Sequence, residues 1–130
     1  MILLSVEETI SLHEKLTERT GGSQGIRDRG LLESAVYSAE NAFGDVEQYP
    51  TVAEKAARLM FALTGNHAFV DGNKRIGVFV MLMTLKLNGV PLCYSQKELI
   101  ALGLSVADGS VGYDGILDFI ITHQKRCMPS

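Results

Sequence analysis

The sequence has no run of basic residues, no CxxC pair, no internal repeat and no apolar stretch of membrane-spanning length. Each absence closes off a class of function. Twelve Lys and Arg are scattered against fifteen Asp and Glu, for a formal net charge of −3. No overall positive field therefore draws the chain onto nucleic acid. The longest apolar stretch, Ile76 to Leu87, is interrupted by Lys86 and falls short of the roughly 20 residues needed to cross a bilayer. The first residues, Met1-Ile-Leu-Leu-Ser-Val-Glu-Glu8, lack a basic n-region, and their apolar run is too short for a signal peptide. A soluble cytoplasmic protein is the expectation. Two cysteines, Cys93 and Cys127, are far apart in sequence; free thiols in a reducing compartment are expected rather than a structural disulfide. Neither a Walker A string nor the usual protein-kinase signatures occur.

What is present is helical pattern. At 130 residues and 46% hydrophobic composition, the chain can bury one real core. Ser5-Val-Glu-Glu8 reads as a capping box, followed by Val6, Ile10, His13 and Leu16 at helical spacing. Gly21-Gly22 ends that helix. Asp28 is a candidate cap for a second, whose face carries Leu31, Leu32, Ala35, Val36, Ala39 and Phe43. Residues 44–50 read as a loop. Thr51-Val-Ala-Glu54 opens a third helix and Ser95-Gln-Lys-Glu98 a fifth, while Ile116, Leu117, Ile120 and Ile121 line a last one. Between them Asn73 to Leu87 is apolar nearly all round, the pattern of a helix buried among the others. The expectation is an all-α, compact single-domain helical bundle spanning 1–130, built around that central helix.

The connector His67 to Arg75 has the wrong composition for a mere link. Gly72 supplies a flexible turn immediately before a helix whose first N–H groups have no intrahelical acceptor. With the helix dipole these form an anion site. Lys74 and Arg75 fall in the first turn, where cations oppose the dipole by roughly 0.3–1 kcal/mol each. They make sense there if a strongly negative ligand, such as a di- or triphosphate, sits among them. Asp71 places one carboxylate beside those phosphates, the usual way Mg²⁺ is held. His67, at the other edge, has the right chemistry for a general base acting on a hydroxyl. Phe69 reads as a core anchor that pins the loop. Taken singly each piece has a structural reading; together they place base, metal ligand and anion nest within nine residues.

The string His67-Ala-Phe-Val-Asp-Gly-Asn-Lys-Arg75 resembles the signature of the Fic/Doc (Fido) family, HxFx(D/E)GN(G/K)R, and its Lys74 form resembles the Doc, or death-on-curing, branch. The stretch from His13-Glu14 through Gly21-Gly22, Gly25 and Asp28 is similar to the beginning of Doc toxins. The resemblance implies a Fido fold and transfer of a phosphate-bearing group from ATP to a protein Ser, Thr or Tyr hydroxyl. It implies His67 as base, Asp71 as Mg²⁺ ligand, and Gly72, Asn73, Lys74 and Arg75 as nucleotide-phosphate contacts. It also implies a separate antitoxin partner, since the nearest match to a built-in inhibitory helix, Val36-Tyr-Ser-Ala-Glu40-Asn41, lacks the required Ser or Thr. A flap over the target peptide at residues 44–50 is a further family-level expectation.

Fic-type members transfer AMP, whereas Doc-type members are thought to transfer the γ-phosphate, with elongation factor Tu as target. Position 74 is Lys where AMP-transferring members usually have Gly, and their second arginine would fall at Val78. Both departures favour phosphate transfer. The alternatives are AMP transfer and a Fido-fold binding module without catalysis; an unrelated helical scaffold is disfavoured by charge and by the motif. His13, on an apolar helix face, and His123, near a helix end, are read as structural.

Overall fold

A computed structural model describes residues 1–128, and those residues form six α-helices with one short hairpin. The order is α1 (Val6–Thr20), α2 (Arg29–Tyr37), a 3₁₀ turn (Ser38–Glu40), β1 (Ala42–Phe43), β2 (Val46–Glu47), α3 (Val52–Asn66), α4 (Asn73–Leu87), α5 (Gln96–Ala107) and α6 (Tyr113–Lys125). The all-α expectation holds.

Local chemistry sets most of the boundaries. Full capping boxes open α1, at Ser5 and Glu8, and α5, at Ser95 and Glu98. Asp28 accepts from the Leu31 N–H at the start of α2. At α3, Thr51 accepts from the Glu54 N–H, but the Glu54 carboxylate bonds the Thr51 hydroxyl instead of its backbone. That box is half formed. Helix α4 begins at Gly72 in the left-handed region, without any side-chain cap.

Two apolar clusters make the core, and α3 and α4 contribute to both. One gathers Leu16, Leu32, Leu59, Leu63, Phe69, Ile76 and Val80 with α1 and α2. The other joins Met60, Val78, Met81 and Leu85 to Leu99, Leu102, Ile116 and Ile120 of α5 and α6. The spine is therefore a pair of helices rather than α4 alone. Although α4 lies between α1, α3 and α5, Phe79 and Leu87 on its outer side are 40% and 39% exposed. Gly77 lets the two spine helices close on each other. A Cβ there would lie 2.4 Å from Thr64 Oγ1 and 3.1 Å from the Met60 carbonyl oxygen.

Four expectations are corrected. Phe43 is not on the face of α2: that helix ends at Tyr37, and Phe43 pairs with Val46 in the hairpin, 78% exposed. The turn at Gly44, with φ +61, reverses the chain, and the nearly buried Lys55 ammonium ties the hairpin down through the Ala39 carbonyl (3.0 Å) and Glu47 (3.1 Å). The supposed loop 44–50 thus contains a strand. The two cysteines are not free thiols. Cys93 and Cys127 form a disulfide, with Cα atoms 5.5 Å apart, because the connector before α5 runs past the end of α6 and the Cys93 N–H donates to the His123 carbonyl (3.1 Å). A separation of 34 residues hides that proximity from the sequence. Finally, Ile121 is 40% exposed while Ile116 and Ile120 are fully buried, so α6 presents a narrower face than its apolar run implied. No helix among the described residues is long and apolar enough to cross a membrane.

Candidate active site

The loop from His67 to Gly72 leaves α3 and enters α4 under several constraints. His67 caps α3 with φ +52 and ψ +44, and among the described residues no other non-glycine has positive φ. Such a conformation costs of order 1–2 kcal/mol for an L-residue, although His tolerates it better than most. Arg27 holds the turn: its Nε donates to the His67 carbonyl (2.6 Å) and its Nη2 to the Asn66 carbonyl (3.3 Å). A guanidinium thus satisfies the last carbonyls of α3, at the negative end of its dipole. The backbone of residues 25–28 pairs with the loop through Arg27 and Asp28 N–H to Ala68 (2.8 and 3.0 Å) and Val70 N–H to Gly25 (3.1 Å). Phe69, only 1% exposed, anchors the middle in the core, as expected.

Asn73 shapes the loop from the helix side. Its Oδ1 accepts from the Phe69 N–H and its Nδ2 donates to the Phe69 carbonyl, both at 3.0 Å. The carboxamide is therefore engaged with backbone; what Asn73 offers an anion is its own N–H. That group and the N–H groups of Lys74 and Arg75 have no acceptor among the described residues, the first helical bond being Ile76 N–H to Gly72 (2.9 Å). Free donors, a dipole end and two cationic side chains are thereby collected at one point.

The Asp71 carboxylate faces the same point. Its Oδ2 accepts from the Ser23 N–H (3.1 Å) and its Oδ1 from the Gly72 N–H (2.9 Å). Those two backbone bonds, with smaller contributions from the Arg75 and His13 charges, lower its pKa below the usual aspartate value. It stays ionised at neutral pH, and each oxygen keeps a lone pair for a cation. One ionised carboxylate beside a phosphate site suits Mg²⁺, which takes its remaining ligands from phosphate oxygens and water. No group of three or more His, Cys, Asp or Glu that could hold a metal alone occurs among the described residues.

His67, Asp71, Gly72, Asn73, Lys74 and Arg75 line one open concavity of about 400 Å³ with Val70. All the residues that the sequence singled out are thus brought together. His67 and Lys74 are exposed, and Arg75 reaches back to the Gly21 carbonyl (3.3 Å). Sequence reasoning missed Arg27, Ser23 and the contact of His13 with the loop, all of which act through space from the first 30 residues. The recurrence of His13, Gly22, Gly25 and Asp28 in the family resemblance is the one signal that hinted at them.

Helix α4 of this helical fold thus starts uncapped, flanked by a carboxylate and an exposed histidine, an arrangement suited to an anion. Residues 3–85 match the Fic/DOC family, and the chain belongs to it. It is 31% identical over 115 residues to the protein kinase doc of Escherichia phage P1, covering 88% of this chain and 90% of that one. It is 43% identical over 72 residues to toxin Doc of Mycolicibacterium smegmatis, covering 55% of each chain.

Proposed function

We propose that this protein is a Doc-type toxin that transfers the γ-phosphate of ATP to a Ser or Thr hydroxyl of a target protein. The observation that supports this reading most is the shared concavity: an exposed imidazole, an ionised carboxylate and an open helix N-terminus with two cations line one space of about 400 Å³. In this reading His67 takes the proton from the attacking hydroxyl. Asp71 holds Mg²⁺, which neutralises phosphate charge when bound. The N–H groups of Asn73, Lys74 and Arg75 and the two cationic side chains grip the phosphates, and Gly72 lets the backbone approach them.

AMP transfer is the second reading, and the surroundings of Val78 weigh against it. Val78 is 8% exposed, and its Cγ2 would lie 3.3 Å from a Cβ on Gly103. The position of a second phosphate-gripping arginine is thus part of the α4–α5 packing. A Fido-fold module without catalysis is disfavoured by the intact set of reacting groups. Elongation factor Tu in the cytoplasm is the proposed target, which makes translation the process blocked. A separately encoded antitoxin is the proposed restraint, a reading supported by the word toxin in the name of one relative.

The test incubates the protein with elongation factor Tu, Mg²⁺ and ATP labelled at either the α or the γ phosphorus. Label arriving from the γ position alone is the expected result. Label from the α position alone supports AMP transfer instead, and no transfer to any protein from a folded, nucleotide-bound preparation contradicts both.

A further inference from the structure

His13 stands in the middle of α1, 58 residues from Asp71 in sequence, and is only 2% exposed. The reaction described above makes no use of it. Its ring lies parallel to that of Phe69, with centroids 3.8 Å apart and an interplanar angle of 8°. Its Nε2 is 2.7 Å from the Asp71 carbonyl oxygen. That oxygen can only accept, so Nε2 carries the proton. The peptide between Asp71 and Gly72 is thereby held at both ends, its C=O by His13 and its N–H by the Asp71 carboxylate at 2.9 Å. This peptide turns the chain into α4. Gly72 has φ +77, and a Cβ on it would sit 3.4 Å from His13 Nε2. Losing the imidazole donor frees the peptide to rotate, and the carboxylate and the Gly72 N–H rotate with it.

We propose that His13 is a positioning residue for phosphate transfer, holding the Asp71–Gly72 peptide so that the carboxylate and the start of α4 are correctly placed relative to His67. The proposal rests on the transfer reading of the loop. Two variants separate the hydrogen bond from the packing. His13→Phe keeps a ring against Phe69 and removes the donor. His13→Gln keeps an N–H at similar reach and gives up the ring. Three quantities are read on each full-length protein: kcat and KM for labelled phosphate transfer from MgATP, the thermal midpoint, and hydrogen exchange at the Gly72 amide.

The expected result is that folded His13→Phe loses roughly ten- to a hundredfold in kcat, the scale of a misplacement of about 1 Å, with faster exchange at Gly72. His13→Gln recovers most of the rate. Wild-type kcat and unchanged Gly72 protection in His13→Phe overturn the proposal. If His13→Phe does not fold, folded His13→Leu, which also lacks the donor, takes its place: a loss of kcat with faster Gly72 exchange supports the positioning role, and wild-type kcat with unchanged Gly72 protection overturns it. If the wild-type protein transfers nothing, the transfer reading fails by itself. Unchanged Gly72 protection in the folded variant lacking the donor then overturns the His13 proposal as well.

Discussion

Asp71 illustrates how far single atoms govern this site. Its Oδ2 lies where Gly22 leaves room: a Cβ at position 22, which has φ +105, would come within 2.7 Å of that oxygen. Gly22→Ala therefore combines backbone strain with a displaced carboxylate. We expect it to lower stability by about 1–3 kcal/mol and to reduce transfer by more than the lost folded fraction, measured by denaturant unfolding and label transfer on the same preparation. That the motif residues belong together was legible in the sequence because they are contiguous: His67, Asp71, Gly72, Lys74 and Arg75 set an imidazole, a carboxylate, a turn and two cations side by side. Asn73 was only partly legible, since its carboxamide binds the Phe69 backbone. Arg27, Ser23 and His13 reach the loop from 40 to 58 residues away, and no local periodicity encodes such contacts.

At the scale of elements, the four side-chain caps Ser5, Asp28, Thr51 and Ser95 are local signals, and each sits where the sequence placed it. The start of α4 was readable by the opposite sign, a glycine followed by cations where an acidic cap would be ordinary. The hairpin was not readable. Ala39 and Phe43 keep helical spacing, but the Gly44 turn and the buried Lys55 ammonium override it. The crossing of α3 and α4 depends on Gly77, a residue with no obvious sequence signal of its own. Gly77→Ala is expected to destabilise by about 1–3 kcal/mol through overpacking, in spite of the roughly 1 kcal/mol that Ala gains in helix propensity. Thr64→Ala in the same background should recover part of the loss by removing the Oγ1 that a Cβ at position 77 meets at 2.4 Å. Chemical denaturation of the single and double variants checks this, and a more stable Gly77→Ala contradicts the account of the crossing.

Over the whole molecule, the two core clusters meet along α3 and α4, and the outer end of the second is stapled by Cys93–Cys127. The same end carries Glu98, which accepts from Arg126 and His123, both at 2.8 Å; Arg126 foremost, then His123, holds its carboxyl well below the ordinary glutamate pKa. None of the hydrogen bonds that shape the His67 loop involves this end. Reducing the disulfide, or replacing both cysteines by Ser, should therefore lower stability by about 2–4 kcal/mol. Transfer measured well below the new thermal midpoint should change little. A collapse of activity in folded, reduced protein contradicts that separation. The helical class was legible from periodicity and caps, whereas the disulfide was not, because only the tertiary path of the α4–α5 connector brings the two sulfurs together.

The proposed transfer of phosphate by the loop at the start of α4, with His67 as base, is tested most directly by the mass of the target protein. Elongation factor Tu incubated with the protein, Mg²⁺ and ATP should gain the mass of one phosphate, and incubated with folded His67→Ala it should gain none. A gain of one AMP, or an equal gain with His67→Ala, contradicts the account.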